Sequence, residues 1–321
     1  MTSLDPAKLQ SILSTALPGR QLHGCTPLGG GFSNALYRVD VSAGTGDPVQ
    51  PVVLRIFVRD GTRCAIESAL AGKLRGIVPV PEVLWSDPGG ELIGQPFTLV
   101  QWVDGVLVDQ VLAGGTVADV TAVGREVGAV LASIGSVRFN SAGFFGDGAL
   151  EPRPLRNPAP EQLLTYVYAR LFEGPAQDAL DPSTRDAWWR LISDAAPCLH
   201  SVEGARSLVH ADFNGKNLMV RNSPNGWQVA GVLDWEFAFS GSSLADVGNM
   251  LRFADEYPTG YADAFLTGFT AHGGSLPDDW QRIARTLDVF SVVDFLCRSP
   301  DNPFREKARK LISAAVDRGF L

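Results

Sequence analysis

The stretch Leu208-Val209-His210-Ala211-Asp212-Phe213-Asn214-Gly215-Lys216-Asn217, answered by Val232-Leu233-Asp234-Trp235-Glu236, constrains this chain more than any other feature. An apolar pair leads into a polar loop holding an Asp and, five positions later, an Asn. After a break rich in Asn, Ser, Pro and Gly (Asn222 to Gly226), a second apolar run ends in another Asp. Two strands joined by a turn would bring the loop and Asp234 to the same end of a hairpin. Phosphoryl transfer needs a carboxylate to position an attacking hydroxyl and accept its proton. It also needs oxygen ligands that hold Mg²⁺ against nucleotide phosphates. Asp212 fits the first role, and Asn217 with Asp234 fits the second.

A chain of 321 residues suits one large or two modest domains, and an apolar fraction of 45% supplies ample core. The formal net charge of −8 argues against a nucleic-acid surface and is compatible with a cationic substrate. Cys25, Cys64, Cys198 and Cys297 are scattered, which predicts buried free thiols in a reducing cytoplasm and neither a disulfide framework nor a zinc site. The start has no export-signal pattern and no apolar run approaches a membrane span. A soluble cytoplasmic protein without nucleic-acid or membrane partners is the expectation; the oligomeric state is not legible.

Asp5-Pro6 ahead of Leu9, Ile12, Leu13, Ala16 and Leu17 predicts a capped amphipathic helix ended by Pro18-Gly19. Glycines between two β-prone stretches, Thr26 to Val39, would let the backbone offer its N–H groups to phosphates. Val52 to Phe57 alternates as a strand, Arg63 to Arg75 reads as a helix, and Val78 to Leu84 is a Pro-punctuated edge segment. Phe97 to Val103 is an apolar strand running into an Asp-Gly turn. Composition then turns helical. Helices are predicted over Asp119–Ile134, Glu161–Phe172, Ser183–His200, Thr259–His272, Pro277–Cys297 and Pro303–Arg318, with a long connection or lid-like insertion over Asn140 to Pro160. The Trp188-Trp189 pair reads as packing.

The pattern His-Ala-Asp-x-x-x-x-Asn, an apolar strand, then Asp-Trp-Glu resembles the catalytic and metal-binding segments of the aminoglycoside phosphotransferase family, the small-molecule branch of the protein-kinase-like fold. The resemblance implies an α+β, bilobal protein. Residues 1–103 would form an N-terminal antiparallel-sheet lobe with a helix, and 104–321 a mainly helical catalytic and substrate-binding lobe. It implies ATP or GTP as co-substrate with Mg²⁺, Asp212 as the catalytic carboxylate, and Asn217 and Asp234 as metal ligands. Gly30, Gly31, Ser33 and Asn34 match the nucleotide-covering loop. Arg55 stands where many relatives place the phosphate-binding Lys; it keeps the charge and can bind oxygens bidentately. Glu67 matches the helix glutamate that pairs with that base. Backbone groups of Gln101, Trp102 and Val103 would meet the purine, Asp246 would hydrogen-bond the catalytic loop, and His210 would brace it.

Ala211 replaces the Arg that precedes the catalytic Asp in protein kinases, and Asp234 is followed by Trp-Glu where those have Phe-Gly. Both predict a small-molecule kinase without activation-loop phosphorylation. The acceptor stays open. Asp255, Glu256, Asp263, Asp278, Asp279, Asp288 and Asp294 offer acids for an aminoglycoside or cationic peptide, and the Phe, Leu and Val of Leu287 to Leu296 offer a groove for a macrolide. An amino-alcohol, sugar or amino-acid-derived metabolite fits equally well. A non-catalytic nucleotide-binding scaffold is the competing class, and the presence of Asp212, Asn217 and Asp234 together argues against it.

Overall fold

The computed structural model describes residues 4–29 and 34–321. Asp5 starts helix α1 (Pro6–Ala16): its carboxylate accepts the Ala7 N–H at 2.9 Å, and Pro6 sits where an N–H would have no helical partner. Strands β1 (Gln21–Leu28), β2 (Asn34–Ser42) and β3 (Gln50–Phe57), helix α2 (Thr62–Leu74), and strands β4 (Val83–Asp87) and β5 (Phe97–Gln101) follow. The strands pair antiparallel in the order β1-β2-β3-β5-β4. The α1 stripe Leu9, Ile12, Leu13 and Ala16 packs with Val39, Val41, Leu54, Ile56, Phe97 and Leu99 into one core. The proline-rich segment before β4 feeds an edge strand, where a missing N–H breaks no ladder.

The chain continues through β6 (Val106–Leu107), α3 (Val108–Gly114) and α4 (Val117–Ser136), the last opened by a capping box of Thr116 and Asp119. The stretch from Asn140 to Pro160, expected as a connection, holds two short strands, β7 (Gly143–Phe145) and β8 (Pro152–Arg153). Gly143 has φ 146°, and a Cβ there would lie 2.0 Å from the Arg153 carbonyl oxygen, so this approach requires glycine. Strands of two and three residues leave no alternation to read.

Helices α5 (Ala159–Leu171) and α6 (Pro182–Ala195) come next. The single helix expected to His200 divides, because Pro197 has no N–H to continue the ladder and Ala196–Val202 tightens to 3₁₀. Trp188 is buried, and Trp189 packs edge-on against Tyr168 and Phe172. Then follow β9 (Ser207–Val209), β10 (Leu218–Ser223), β11 (Gly226–Val232), β12 (Phe239–Gly241) and helices α7 (Leu244–Leu251), α8 (Tyr261–Ala271), α9 (Trp280–Leu296) and α10 (Pro303–Arg318).

Contacts divide this α+β chain into two compact units. One comprises Met1–Val111, Phe145–Glu151 and Lys216–Phe237; it holds the five-stranded sheet and a second sheet of order β11-β10-β6. The other comprises Leu112–Phe144, Pro152–Gly215 and Ala238–Leu321, mainly helices with a small sheet of order β8-β7-β12-β9. Within it α4 and α8 meet backbone to backbone. A Cβ on Gly128 would fall 2.0 Å from the Phe265 carbonyl oxygen, and one on Gly268 2.1 Å from that of Arg125. All four cysteines are free; Cys64 is buried, whereas Cys25, Cys198 and Cys297 are half-buried and so less enclosed than expected. Among the described residues no helix is long and apolar enough to cross a membrane.

Candidate active site

The first unit gathers its charged residues around Arg55. Strand β3 lies between β2 and β5, which places Arg55 opposite Leu36 on one side and Thr98 on the other. Leu54 and Ile56 turn into the core, so by the two-residue alternation Arg55 faces the other way. Its guanidinium reaches Glu67 Oε2 of α2 at 3.0 Å, Asp234 Oδ1 at 2.7 Å and Glu236 Oε2 at 3.7 Å. A planar fork can span three carboxylates where a point ammonium would not. The Arg55 side chain is 13% exposed, and burial works against its charge; Glu67, Asp234 and Glu236 more than offset this and hold its pKa up. Burial pushes the Glu67 carboxyl up to about 8, with repulsion from Asp234 and Glu236 adding to the rise and Arg55 opposing it.

Asp234 reaches this cluster through the β10–β11 hairpin. Leu218 pairs with Val232, and the Leu233 N–H donates to the Asn217 carbonyl at 2.8 Å, so Asn217 and the approach to Asp234 share one end of the hairpin. Asp234 itself is left-handed at φ 63°, a conformation Asp tolerates better than most residues. Trp235 is buried, and its indole N–H donates to the Val232 carbonyl at 3.1 Å, which pins the turn and leaves Asp234 and Glu236 on the same cluster. Glu236 also accepts from Asn34 Nδ2 at 3.2 Å. Glu236 closes the Asp-Trp-Glu motif, where no local feature of the sequence marks it for a role; alternation around an inward Trp is the available signal.

Of the glycine-loop candidates, Gly30, Gly31 and Ser33 lie outside the described residues, and Asn34 begins β2. Gln101 closes β5 opposite Val52, with its N–H donating to the Glu82 carbonyl at 2.8 Å. Trp102 donates from Nε1 to Asp104 at 3.1 Å beneath the Arg38 guanidinium, and the Val103 side chain lies beside Gly231.

The second unit carries the other half of the motif. Strand β9 delivers the chain to His210, which is fully buried. Asp246, in the first turn of α7, accepts the His210 N–H at 2.7 Å and the Ala211 N–H at 2.8 Å. Ala211 is left-handed at φ 68°, a strained conformation for a residue with a Cβ, and its bond to Asp246 holds it there. Burial pushes the Asp246 carboxyl up to about 7, with the two backbone donors pulling down and Asp212 adding repulsion. Asp212 is half-buried; its N–H donates to His210 Nδ1 at 3.3 Å, which makes that nitrogen an acceptor. Asn214 donates from Nδ2 to Asp212 Oδ1 at 2.8 Å and to the Asp212 carbonyl at 3.0 Å. No sequence signal singled out Asn214, because an Asn two residues after an Asp is ordinary turn composition.

The acids of the C-terminal helices are partly neutralised. Asp288 is buried against Arg252, Asp294 accepts the Tyr166 hydroxyl and pairs with Arg170, and Glu256 pairs with Lys307. Asp255, Asp263, Asp278 and Asp279 are exposed.

The first-unit donor set fits a hard divalent cation. Carboxylate oxygens of Glu67, Asp234 and Glu236 lie within 4.8 Å of one another, and Glu67 keeps a buried oxygen without a hydrogen-bond partner. Three acids against one guanidinium leave negative charge for such an ion to neutralise.

Solved aminoglycoside phosphotransferases share this architecture. A thermostable mutant of APH(4)-Ia in apo form matches with TM-score 0.69 and 17% identity, over 97% of this chain and 98% of that one. The ternary complex of APH(2")-IIa with streptomycin and ATP matches at 0.62 and 14% over the whole of both chains. A putative aminoglycoside phosphotransferase from Ralstonia eutropha matches at 0.67 and 19%, over 99% of this chain and 97% of that one. At such identities the likeness establishes the fold, which is protein-kinase-like. No curated protein sequence matches the chain significantly. A sequence profile described as "Phosphotransferase enzyme family" matches residues 24–285, and the chain belongs to that family. It is a kinase-type enzyme.

Proposed function

We propose that the protein transfers the γ-phosphoryl group of ATP or GTP to a hydroxyl of a small molecule. The observation that carries this reading is the braced loop of Asp212: a strained Ala211, held by Asp246, sets the carboxylate that follows it. Asp212 orients the acceptor hydroxyl and takes its proton, while Asn214 limits the carboxylate's rotation. His210 and Asp246 brace the loop. Residues 1–103 supply the nucleotide contacts: the backbone of Gly30, Gly31 and Ser33 with Asn34, the Arg55 guanidinium steadied by Glu67, and the backbone of Gln101 to Val103 for the purine. Asn217 and Asp234 would hold Mg²⁺, within residues 104–321, the proposed catalytic portion. Mg²⁺, when bound, withdraws charge from the phosphate oxygens.

A further APH(4)-Ia mutant structure is a ternary complex with AMP-PNP and hygromycin B, and the APH(2")-IIa structure holds streptomycin and ATP; an antibiotic acceptor is one form of this proposal. Pairing of Asp288, Asp294 and Glu256 with cations of the same chain leaves fewer free carboxylates for a polycation, which favours a less highly charged metabolite as the acceptor.

The test is Mg²⁺-dependent release of nucleoside diphosphate from ATP and GTP against aminoglycosides, tuberactinomycin peptides, macrolides and amino-alcohols. Asp212→Ala should retain nucleotide binding and lose turnover by orders of magnitude, whereas Asp234→Ala should weaken the metal–nucleotide complex itself. Nucleotide binding without transfer to any acceptor would favour a non-catalytic scaffold.

A further inference from the structure

Helix α7 carries more than the Asp246 brace. Asp246, Asn249 and the C-cap residue Arg252, just past Leu251, follow one another at three-residue steps, so each lies beside the next along the helix. Arg252 and Asp288 of α9 are 4% and 7% exposed and form a fork: Nε donates to Oδ2 at 2.8 Å and Nη2 to Oδ1 at 2.5 Å. Asn249 donates from Nδ2 to the same Oδ1 at 2.8 Å, while its own Oδ1 is buried without a hydrogen-bond partner. Beneath the network the helices touch, since a Cβ on Gly248 would fall 2.4 Å from the Ala284 carbonyl oxygen.

A buried ion pair with an unsatisfied amide oxygen is a poor source of stability compared with apolar packing of the same volume. It is a good source of register, because the fork accepts one geometry. We propose that the Arg252–Asp288–Asn249 network fixes α7 against α9 and thereby positions the loop of Asp212. The mechanical link is Asp246: a slide or rotation of α7 would pull its carboxylate from the His210 and Ala211 N–H groups and release the strained Ala211. An electrostatic link runs alongside. Burial opposes the Arg252 charge, and Asp288 and then Asp212 sustain it, so the guanidinium is within electrostatic reach of the Asp212 carboxylate. Arg252 is thus a positioning residue acting through Asp246. The inference rests on the reading of Asp212 as the catalytic carboxylate.

The experiment replaces the pair by an apolar one, Arg252→Met with Asp288→Leu, which should fold with wild-type stability. Hydrogen exchange at the His210 and Ala211 amides should then quicken by about tenfold or more. Turnover should fall roughly 10- to 100-fold with the nucleotide KM unchanged. A purely structural pair would leave both readouts at wild-type values once stability is restored, and that result overturns the proposal. The exchange readout needs no acceptor. An inactive wild type whose amides still loosen in the variant would therefore sink the phosphotransfer reading while sustaining the positioning link. If the double variant fails to fold, Asp288→Asn, which removes the charge and destabilises the protein, is read by comparison among amides: exchange that quickens more at His210 and Ala211 than across the rest of residues 152–215 and 238–321 sustains the proposal, and exchange that quickens equally throughout overturns it.

Discussion

Replacing Arg55 by Met removes the guanidinium that Glu67, Asp234 and Glu236 share. Arg55, Glu67 and Glu236 are each no more than 13% exposed, so the loss strands two carboxylates with little access to water. Breaking such a buried pair costs about 3–5 kcal/mol. Two features favour the lower end. Asp234 is 38% exposed and partly solvated, and burial raises the Glu67 carboxyl, which favours its neutral form once the guanidinium is gone. A cost of about 3 kcal/mol lowers the melting temperature by roughly 6–12 °C for a domain of 150–250 residues. Thermal melts with and without Mn²⁺, in the absence of nucleotide, provide the assay. The variant should melt lower and recover more stability from the cation than wild type, because the ion then meets three carboxylates without a resident guanidinium. Arg55→Lys should lie between the two, retaining charge and losing the fork. A variant melting like wild type, with no larger gain from Mn²⁺, would refute the idea that this guanidinium holds the acids together.

Three further outcomes follow from named contacts. Asn214→Ala should lower turnover about 10- to 100-fold and leave the nucleotide affinity measured by calorimetry unchanged, since only the orientation of Asp212 is lost. Asp246 has a folded pKa raised from 3.8 to about 7, so the stability linked to its proton is fully present below 3.8 and lost as pH rises through about 7. Asp246→Asn should therefore flatten the fall in denaturation midpoint across that window, by up to about 1.4 kcal/mol per pH unit at its steepest. Gly128→Ala sets a helix-propensity gain of about 1 kcal/mol against a Cβ lying 2.0 Å from the Phe265 carbonyl oxygen. Overpacking of about 1–3 kcal/mol should win, and a melting temperature above wild type would contradict the close α4–α8 approach.

What the sequence determined by itself is local. Asp5-Pro6 and the stripe Leu9, Ile12, Leu13, Ala16 specify α1, because a cap and a helical period are encoded within a dozen or so residues. The apolar runs on either side of Asn222 to Gly226 specify a hairpin, and with it the meeting of Asn217 with the approach to Asp234. Periodicity likewise announced the trailing helices, though not the change to 3₁₀ at Pro197. Tertiary structure decided everything that depends on distant partners. Arg55 and Asp234 are 179 positions apart, and nothing near either predicts that one guanidinium would gather Glu67 and Glu236 as well. Asp288 looked like any helical acid until packing placed it against Arg252, 36 positions away. The strands β7 and β8 carry no period of their own and exist through pairing, and Asn214 acquires a purpose only once Asp212 turns toward it. The physical reason is common to all of these. Local propensity and period are properties of a segment, whereas burial, ion pairing and strain are properties of the segments that meet it.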